Sequence, residues 1–155
     1  MDRYDRRLIA ALQQDADRTA EQLAEHVALS PSAIQRRIRR LKENGAIQRV
    51  VAIANPRSIG SPTFFIVAIQ VERERPELLA HLRRWLAAEP QVQQAYYVTG
   101  DADFILVITA EDAEAYDGLM SRLMEENSNV RRFTTNVALG LVKRGLAISM
   151  AEDQS

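Results

Sequence analysis

The order in which hydrophobic periodicity changes between residues 63 and 142 restricts the fold more than any other feature of the sequence. Residues 63–72 are apolar at successive positions, as in a central strand with both faces buried. A helical stripe, two strand-like stretches at 92–99 and 103–110, a second helical stripe and a long strand at 130–142 follow. This βαββαβ order predicts an α+β, ferredoxin-like domain with two helices on one face of an antiparallel sheet.

The sheet face opposite the helices is also predicted to be apolar. Both alternating sets of the first strand are apolar, namely Phe65, Val67 and Ile69 on one side and Phe64, Ile66 and Ala68 on the other. Because two helices cover only one face, we expect the other face to pack against the sheet of a second copy of the chain. The sequence therefore predicts a homodimer that assembles through this domain.

The first 54 residues contain the pattern of three short helices. Thr19 and Gln22 have the spacing of a capping box at the start of the second helix. Ser30 is suited to be the N-cap of the third helix, and Pro31 to be its first residue. The third helix is predicted to run through residue 44 and to stop at Gly45, which accepts the left-handed conformation found at helix ends.

Positive charge is concentrated in the third predicted helix. Five of the seven residues from Arg36 to Lys42 are Arg or Lys, although the whole chain has a net charge of -1. On a helical wheel the Ile and Leu residues of this helix share one side, and Arg36 lies on the opposite side. A short helix, a tight turn and a second helix with an arginine-bearing outer face are typical of a helix-turn-helix that binds double-stranded DNA in the major groove.

The outer face of this helix contains two kinds of candidate DNA contact. Residues near its start are placed to reach base edges, where Arg pairs with guanine and Gln with adenine, and later basic residues are placed to reach phosphates. The base-reading candidates are Ser32, Gln35 and Arg36. The phosphate candidates are Arg39, Arg40, Lys42 and Arg49, and Ser30 at the helix start completes the predicted set. Arg37 lies nearer the apolar side, where it is expected to extend to the surface or to pair with an acidic residue.

The same basic face has two alternative interpretations. It could be an ordinary solvated surface, but only Glu43 offsets the positive charges, so the usual pairing of opposite charges one turn apart is missing. It could also lie on an anionic membrane, but helices of that kind have a bulkier apolar side. DNA binding is therefore the favoured interpretation.

The segment after the third helix connects the two halves of the chain. Residues 46–54 are rich in Val and Ile and are predicted to pair as a wing or as a connecting strand. Residues 55–62, NPRSIGSP, interrupt every periodic pattern and indicate a linker. The predicted organisation is a DNA-binding domain with its hinge strand at 1–54, the linker at 55–62, a second domain at 63–149 and a tail at 150–155.

Together these segments resemble the Lrp/AsnC family of feast/famine transcriptional regulators along nearly the whole chain. The resemblance rests on LSPSAIQRRIRRLKENGAI at residues 29–47, on the hinge strand, and on YVTGDADFIL at residues 97–106, within what the family calls a RAM domain. It implies an amino-acid-responsive transcription factor that forms dimers and often octamers. It also implies that the effector binds between RAM domains, near the glycine-aspartate turn.

Carried over by motif, the family's effector residues fall on Gly100, Asp101, Ala102, Asp103, Phe133 and Thr135. The sequence departs from the family at Ala102, where an aromatic residue is usual, and at Phe133, which replaces a threonine. These changes would reshape the pocket for a different amino acid, or close it. A zwitterionic ligand needs acceptors for its ammonium group, such as Asp101 or Asp103, and donors for its carboxylate, such as the backbone amides around Gly100. The alternative is a polar β-turn in which the aspartates only cap backbone groups.

Catalysis, metal binding and a cofactor are not predicted. The sequence has no Cys, and its two His, His26 and His81, fall in different predicted domains with no nucleophile or ligand cluster nearby. No stretch has the length of a membrane span, and the N-terminus lacks the apolar centre of a secretory signal, so a cytoplasmic protein is expected. The remaining alternative to a DNA-binding regulator is an amino-acid-binding regulatory subunit whose basic helices bind a protein partner.

Overall fold

The structure, a computed structural model, describes residues 1–150 and contains two compact units. The first unit comprises residues 1–53 together with the described segment from Lys143 onward, and the second comprises Ala54–Val142. The first unit is built from helices, and the second from helices and strands. No helix within the described residues has the length and apolar character needed to cross a membrane.

Three helices form the first unit: α1 (Arg3–Gln14), α2 (Ala20–Val27) and α3 (Pro31–Glu43). Each begins with a side-chain cap, which satisfies amide groups that the first turn of a helix leaves without partners. Thr19 and Gln22 form the predicted capping box, and Ser30 accepts a hydrogen bond from the Ala33 amide at 3.3 Å. The predicted start of α3 is confirmed, and the helix ends one residue earlier than predicted, just before Gly45 with its left-handed φ of 77°.

The three helices share a small hydrophobic core. Its fully buried members are Leu8, Leu23, Val27 and Ile34. Leu41 of α3 is also buried, and Ile38 is half-buried against the same cluster. Burial of one such side chain stabilises the fold by about 1.5–3 kcal/mol, so the inner side of α3 is firmly determined. The wheel predicted this side correctly, and the polar side of α3 faces away from the core.

The second unit has the predicted βαββαβ order. Its elements are β1 (Thr63–Val71), α4 (Pro76–Ala88), β2 (Val92–Tyr97), β3 (Phe104–Ala110), α5 (Ala113–Glu126) and β4 (Val130–Val137). The strands form one antiparallel sheet in the order β2-β3-β1-β4, with β1 and β3 in the centre. This is the split βαβ arrangement, so the predicted α+β fold is confirmed. A short 3-10 turn, Pro56–Ser58, precedes β1.

The two faces of this sheet differ in burial. One face packs against α4 and α5, and there Val67, Ile69, Leu82 and Leu123 are at most 1% exposed. On the opposite face Ile66 is 36% exposed, although both of its neighbours in β1 are buried. The predicted apolar character of the second face is therefore present on β1, and this face is only partly covered within the chain.

The predicted wing or hinge strand is absent from the single chain. Residues 46–54 form no strand within the described part of the protein. Val50, Val51 and Ile53 are 53%, 60% and 67% exposed. A strand needs a hydrogen-bonded neighbour, and a high content of β-forming residues does not supply one. The prediction of a strand here is therefore wrong for one chain by itself.

The end of the chain also differs from the prediction. β4 stops at Val137, close to where its partner β1 begins, instead of continuing to residue 142. Residues 143–150 belong to the first unit, where the Gln13 side-chain amide pairs with the backbone of Ile148 in both directions, at 3.0 and 2.7 Å. Apart from its first residue, the predicted tail lies outside the described residues.

Candidate DNA interface and effector site

The outer side of α3 exposes the side chains that the sequence singled out there. Ser32, Gln35, Arg36, Arg39 and Lys42 are all exposed, while the opposite side of the helix packs into the core. Gln35, Arg39 and Lys42 also line a shallow depression of about 330 Å³ that reaches the first residue of α2. Polar and basic groups are thus presented together on one rigid helix.

Two predicted contacts flank this surface. The Ser30 hydroxyl caps α3 and also lies 3.2 Å from the Ser32 hydroxyl, so the two serines form a polar pair at the start of the helix. Arg49 is exposed in the irregular segment that follows α3. Both residues are exposed to solvent, and Ser30 is at the same time the N-cap of α3.

Two basic residues of α3 are bound to carboxylates at the start of α1, one from its N-cap and one from its first turn. Arg37 Nη1 lies 2.7 Å from Asp2 Oδ2 and 2.8 Å from Asp5 Oδ1, which confirms the expected acidic partner for Arg37. Arg40 Nη2 lies 2.9 and 2.8 Å from the two oxygens of the same Asp5. The sequence predicts Arg40 as a phosphate contact, whereas in the free chain its guanidinium is already bound.

Asp5 is the centre of this charged cluster and is only 2% exposed. Burial raises the pKa of its carboxyl, but hydrogen bonds from Arg37 and from the Asp2 amide, with the charge of Arg40, hold that pKa below its ordinary value of 3.8. The same hydrogen bonds raise the pKa of the Arg37 guanidinium. Asp5 and Arg37 are therefore both ionised at neutral pH.

The predicted effector turn joins β2 to β3. Gly100 has a φ of 114°, a conformation that favours glycine. Asp103 Oδ2 accepts a hydrogen bond from the Val71 amide at 2.7 Å, beside the irregularity where β1 ends. Asp103 thus caps a backbone group, as the alternative interpretation of the turn predicts. Asp101 is exposed, Ala102 is half-buried, and the Asp101 carboxylate makes no hydrogen bond or ion pair within residues 1–150.

The other two effector candidates lie on β4, with β1 between them and the turn. Phe133 pairs with Ile69 and Thr135 pairs with Val67, so both lie on the face that the helices cover. The Thr135 hydroxyl is hydrogen-bonded to the Tyr116 hydroxyl of α5. Burial raises the pKa of the Tyr116 phenol, which stays neutral. Thr135 is thus engaged within the domain, whereas Phe133 is 36% exposed.

A chain of hydrogen bonds connects the turn with β4, and the sequence did not predict it. Gln70 Nε2 donates to the Asp101 carbonyl oxygen, and Gln70 Oε1 accepts from Arg132 Nε at 2.7 Å. Gln70 and Arg132 are direct partners in the register of β1 and β4, on the face opposite the helices. A glutamine and an arginine side chain can form a hydrogen bond with each other, but only the strand register shows that these two residues are neighbours.

Both units match models of one protein family. The AsnC-type helix-turn-helix domain matches residues 1–42, and the Lrp/AsnC ligand binding domain matches residues 65–148. The chain belongs to the Lrp/AsnC family. It is therefore a helix-turn-helix transcriptional regulator with a ligand-binding domain, and not an enzyme.

Individual relatives of this regulator agree with the family assignment. It is 40% identical to an uncharacterized HTH-type transcriptional regulator of Sinorhizobium fredii over 148 residues, which are 96% of this chain and 88% of that protein. The crystal structure of an AsnC family transcriptional regulator from Agrobacterium tumefaciens has a TM-score of 0.86 at 28% identity and covers 96% of this chain and 97% of its own. A feast or famine regulatory protein from M. tuberculosis, complexed with L-methionine, has a TM-score of 0.78 at 29% identity, with coverages of 92% and 95%.

Proposed function

We propose that this regulator binds specific double-stranded DNA sequences as a homodimer through the outer side of α3, and that a bound amino acid changes its DNA binding or its assembly. The observation that carries the proposal is the exposure of Gln35, Arg36, Arg39 and Lys42 on a helix whose other side is fixed in the core. The major groove admits one helix, and such side chains can reach base edges and phosphates from it. No comparable observation favours a protein partner.

We propose the same division of α3 into base-edge and phosphate contacts that the sequence predicts, except that Arg40 is left out. The residues of the first two turns are proposed to contact base edges: Ser32, Gln35 and Arg36. The exposed residues beyond them and at the helix start are proposed to contact phosphates: Arg39, Lys42, Arg49 and Ser30. Arg40 is not included, because its guanidinium is bound to Asp5.

The homodimer is proposed to form through the partly covered face of the sheet. Ile66 is exposed there, and its neighbours Ala68, Ile105 and Val107 are half-buried. Two such sheets packed face to face would remove this apolar surface from water. A dimer would then present two copies of α3 to two half-sites. Sedimentation will show whether dimers associate further into the octamers that the family resemblance implies.

Measuring DNA affinity at two salt concentrations tests the DNA-binding part of the proposal. A dimer that neutralises about six phosphates should lose on the order of a thousandfold in affinity between about 50 and 200 mM salt. A duplex selected from a random library should also bind more tightly than a random duplex of the same length. Binding that is independent of salt, or equal affinity for the two duplexes, would contradict the proposal.

The effector is proposed to be an amino acid held near the Gly100–Asp103 turn. The M. tuberculosis regulator was solved with L-methionine, so methionine is the first candidate. Asp101 offers an exposed carboxylate for the ammonium group of the ligand. Arg132 is bound to Gln70 through Nε, and its terminal nitrogens can donate to the ligand carboxylate alongside the amides around Gly100.

The arrangement of these groups suggests that the pocket needs a wall from a second subunit. Ile69 pairs with Phe104, which follows the turn, on one side and with Phe133 on the other. Two strand spacings, about 10 Å, therefore separate the turn from Phe133. The candidates are spread across three strands, and on β4 Arg132 and Phe133 lie on opposite faces, whereas ligand pockets enclose most of their ligand. The small Ala102 would give this pocket a different shape from that of relatives with an aromatic turn, whereas the ring of Phe133 lies on the face of β4 opposite to Arg132.

A thermal-shift screen with each of the twenty amino acids tests the effector proposal. A ligand at about one hundred times its Kd stabilises the folded state by about 2.7 kcal/mol. Asp101→Asn should abolish the shift, because it removes the charge that binds the ammonium group. Asp117→Asn, at an exposed position on α5, is the matched control and should retain it. If no amino acid raises the melting temperature, or if Asp101→Asn responds like the wild type, this part of the proposal is wrong.

A further inference from the structure

The buried carboxylate of Asp5 is not among the proposed DNA contacts. It nevertheless binds two arginines of α3, the helix that is proposed to contact DNA. Asp5 lies in the first turn of α1 and is 2% exposed. Its oxygens accept hydrogen bonds from Arg37 at 2.8 Å, from Arg40 at 2.9 and 2.8 Å, and from the Asp2 amide at 3.2 Å. A carboxylate has about four acceptor positions, so these contacts fill its capacity.

The two arginines differ in exposure but not in having a partner. The Arg37 side chain is 21% exposed, also binds Asp2, and has its guanidinium 5.5 Å from the centre of the Tyr4 ring. The Arg40 side chain is 55% exposed, and its Nη2 is bound to both oxygens of Asp5. Exposure alone would place Arg40 among the residues available to DNA, but its charge is already compensated.

Charge compensation separates the basic residues of α3 into two sets. Arg37 and Arg40 are paired with carboxylates, whereas the other three basic side chains of the helix have no ion pair within residues 1–150. Moving Arg40 from Asp5 to a phosphate would exchange one anion for another and would leave a buried carboxylate short of a partner, which is unfavourable. An unpaired cation loses no such partner when it meets a phosphate, and the DNA releases counterions in return.

We propose that Asp5 is a positioning residue that keeps Arg40 on the protein when DNA binds, and that it thereby limits the sequence-independent part of the affinity. This inference rests on the proposed binding of DNA by α3. Sequence-independent affinity grows with the number of phosphates that a protein neutralises. A chain that withholds one cation per subunit therefore binds random DNA less tightly than its basic helix would otherwise allow.

Two neighbouring arginines provide a matched pair of variants. Arg39→Gln removes an unpaired cation and should reduce the slope of log affinity against log salt, for a random-sequence duplex, by about 0.9 per subunit. Arg40→Gln removes a compensated cation and should leave this slope unchanged. An equal reduction in both variants would overturn the inference and leave the DNA-binding proposal intact. Loss of salt-dependent binding in the wild type would instead refute the proposed function.

Asp5→Asn tests the same inference from the opposite direction. This nearly isosteric change releases Arg40, so binding to the random duplex should tighten and the salt slope should steepen by about 0.9 per subunit. Adding Arg40→Gln to Asp5→Asn should return the slope to its wild-type value, a reversal that a purely structural role of Asp5 would not produce. An unchanged slope in folded Asp5→Asn would overturn the inference. If circular dichroism shows that Asp5→Asn does not fold, the comparison of Arg39→Gln with Arg40→Gln decides alone.

Discussion

The outer side of α3 and the Gly100–Asp103 turn hold their functional groups in opposite ways. On α3, Arg36 and Arg39 extend freely from a helix whose ends and inner side are fixed by caps and by the core. In the turn, Asp103 is bound to the end of β1, and the Asp101 carbonyl is connected through Gln70 to β4. The helix is rigid and several of its side chains are free, whereas in the turn the Asp101 carbonyl and the Asp103 carboxylate are tied to neighbouring strands and only the Asp101 carboxylate is left exposed.

The two proposed partners explain this difference. DNA offers a regular array of phosphates, so cations on long side chains can adjust to it without being fixed beforehand. An amino acid offers two charges and one side chain, so a site gains affinity when its groups are ordered before the ligand arrives. Free side chains therefore suit the first partner, and a prearranged turn suits the second.

The largest effect that would test this difference between the two regions is a loss of DNA sequence preference on substitution of Arg36. Arg36→Ala removes a proposed bidentate base contact, which is worth about 1–3 kcal/mol of discrimination in each half-site. Binding to every single-base variant of a selected duplex should show relaxed preference at one position per half-site. Arg39→Ala is the control and should weaken all sequences alike. Identical specificity profiles for the two variants would contradict the separate roles proposed for the two ends of α3.

A smaller effect is expected in the turn, where two aspartates that are two residues apart should behave differently. Asp103→Ala leaves the Val71 amide without its acceptor and should lower the free energy of unfolding by about 1–3 kcal/mol. Asp101→Ala should change it by less than about 0.5 kcal/mol, because the carboxylate is exposed and unpaired within the described residues. Urea denaturation at one protein concentration measures both. Equal losses would break the comparison, since Asp103 would then not tie the turn to β1.

Most of the fold could be predicted because its signals are local. The pair Thr19 and Gln22 and the pair Ser30 and Pro31 each act within one helical turn, so spacing along the sequence is sufficient. The six elements of the second unit are likewise visible as local periodicity. Residues 46–54 were mispredicted because strand formation depends on a neighbour, and their β-forming composition carries no information about one.

The interactions that organise the two sites could not be predicted from the sequence, because they join distant positions. Asp5 and Arg40 are 35 positions apart, and Gln70 and Arg132 are 62 positions apart. No spacing rule connects such residues until the packing of α1 on α3, or the register of β1 with β4, is known. The helical wheel correctly placed the exposed basic side chains of α3, but it could not show that Arg40 has a partner.

The smallest predicted effect concerns the ion pair of Asp2 with Arg37, which is one of the two carboxylate contacts that this arginine makes. Hydrogen bonds from the Asp5 amide and from Arg37 hold the pKa of the Asp2 carboxyl below its ordinary value of 3.8. A lowered pKa in the folded chain means that the charged form stabilises the fold above that ordinary value, and that this stabilisation is lost as pH falls through the lowered pKa. Asp2→Asn keeps a capping side chain but removes the charge. Its melting temperature should therefore lie below that of the wild type at pH 7, and the difference should shrink as the pH falls from 3.8 through the lowered pKa.

A double-mutant cycle identifies the partner responsible for this pH dependence. In an Arg37→Gln background, Asp2→Asn should have a smaller effect at pH 7, because the cation that its carboxylate binds is gone. Circular dichroism melts of the four proteins between about pH 7 and 3 provide the comparison. A difference that stays constant with pH would mean that Asp2 contributes only as a helix cap. Arg37 would then be held by Asp5 alone, and the division between bound and unbound arginines on this helix would rest on that one carboxylate.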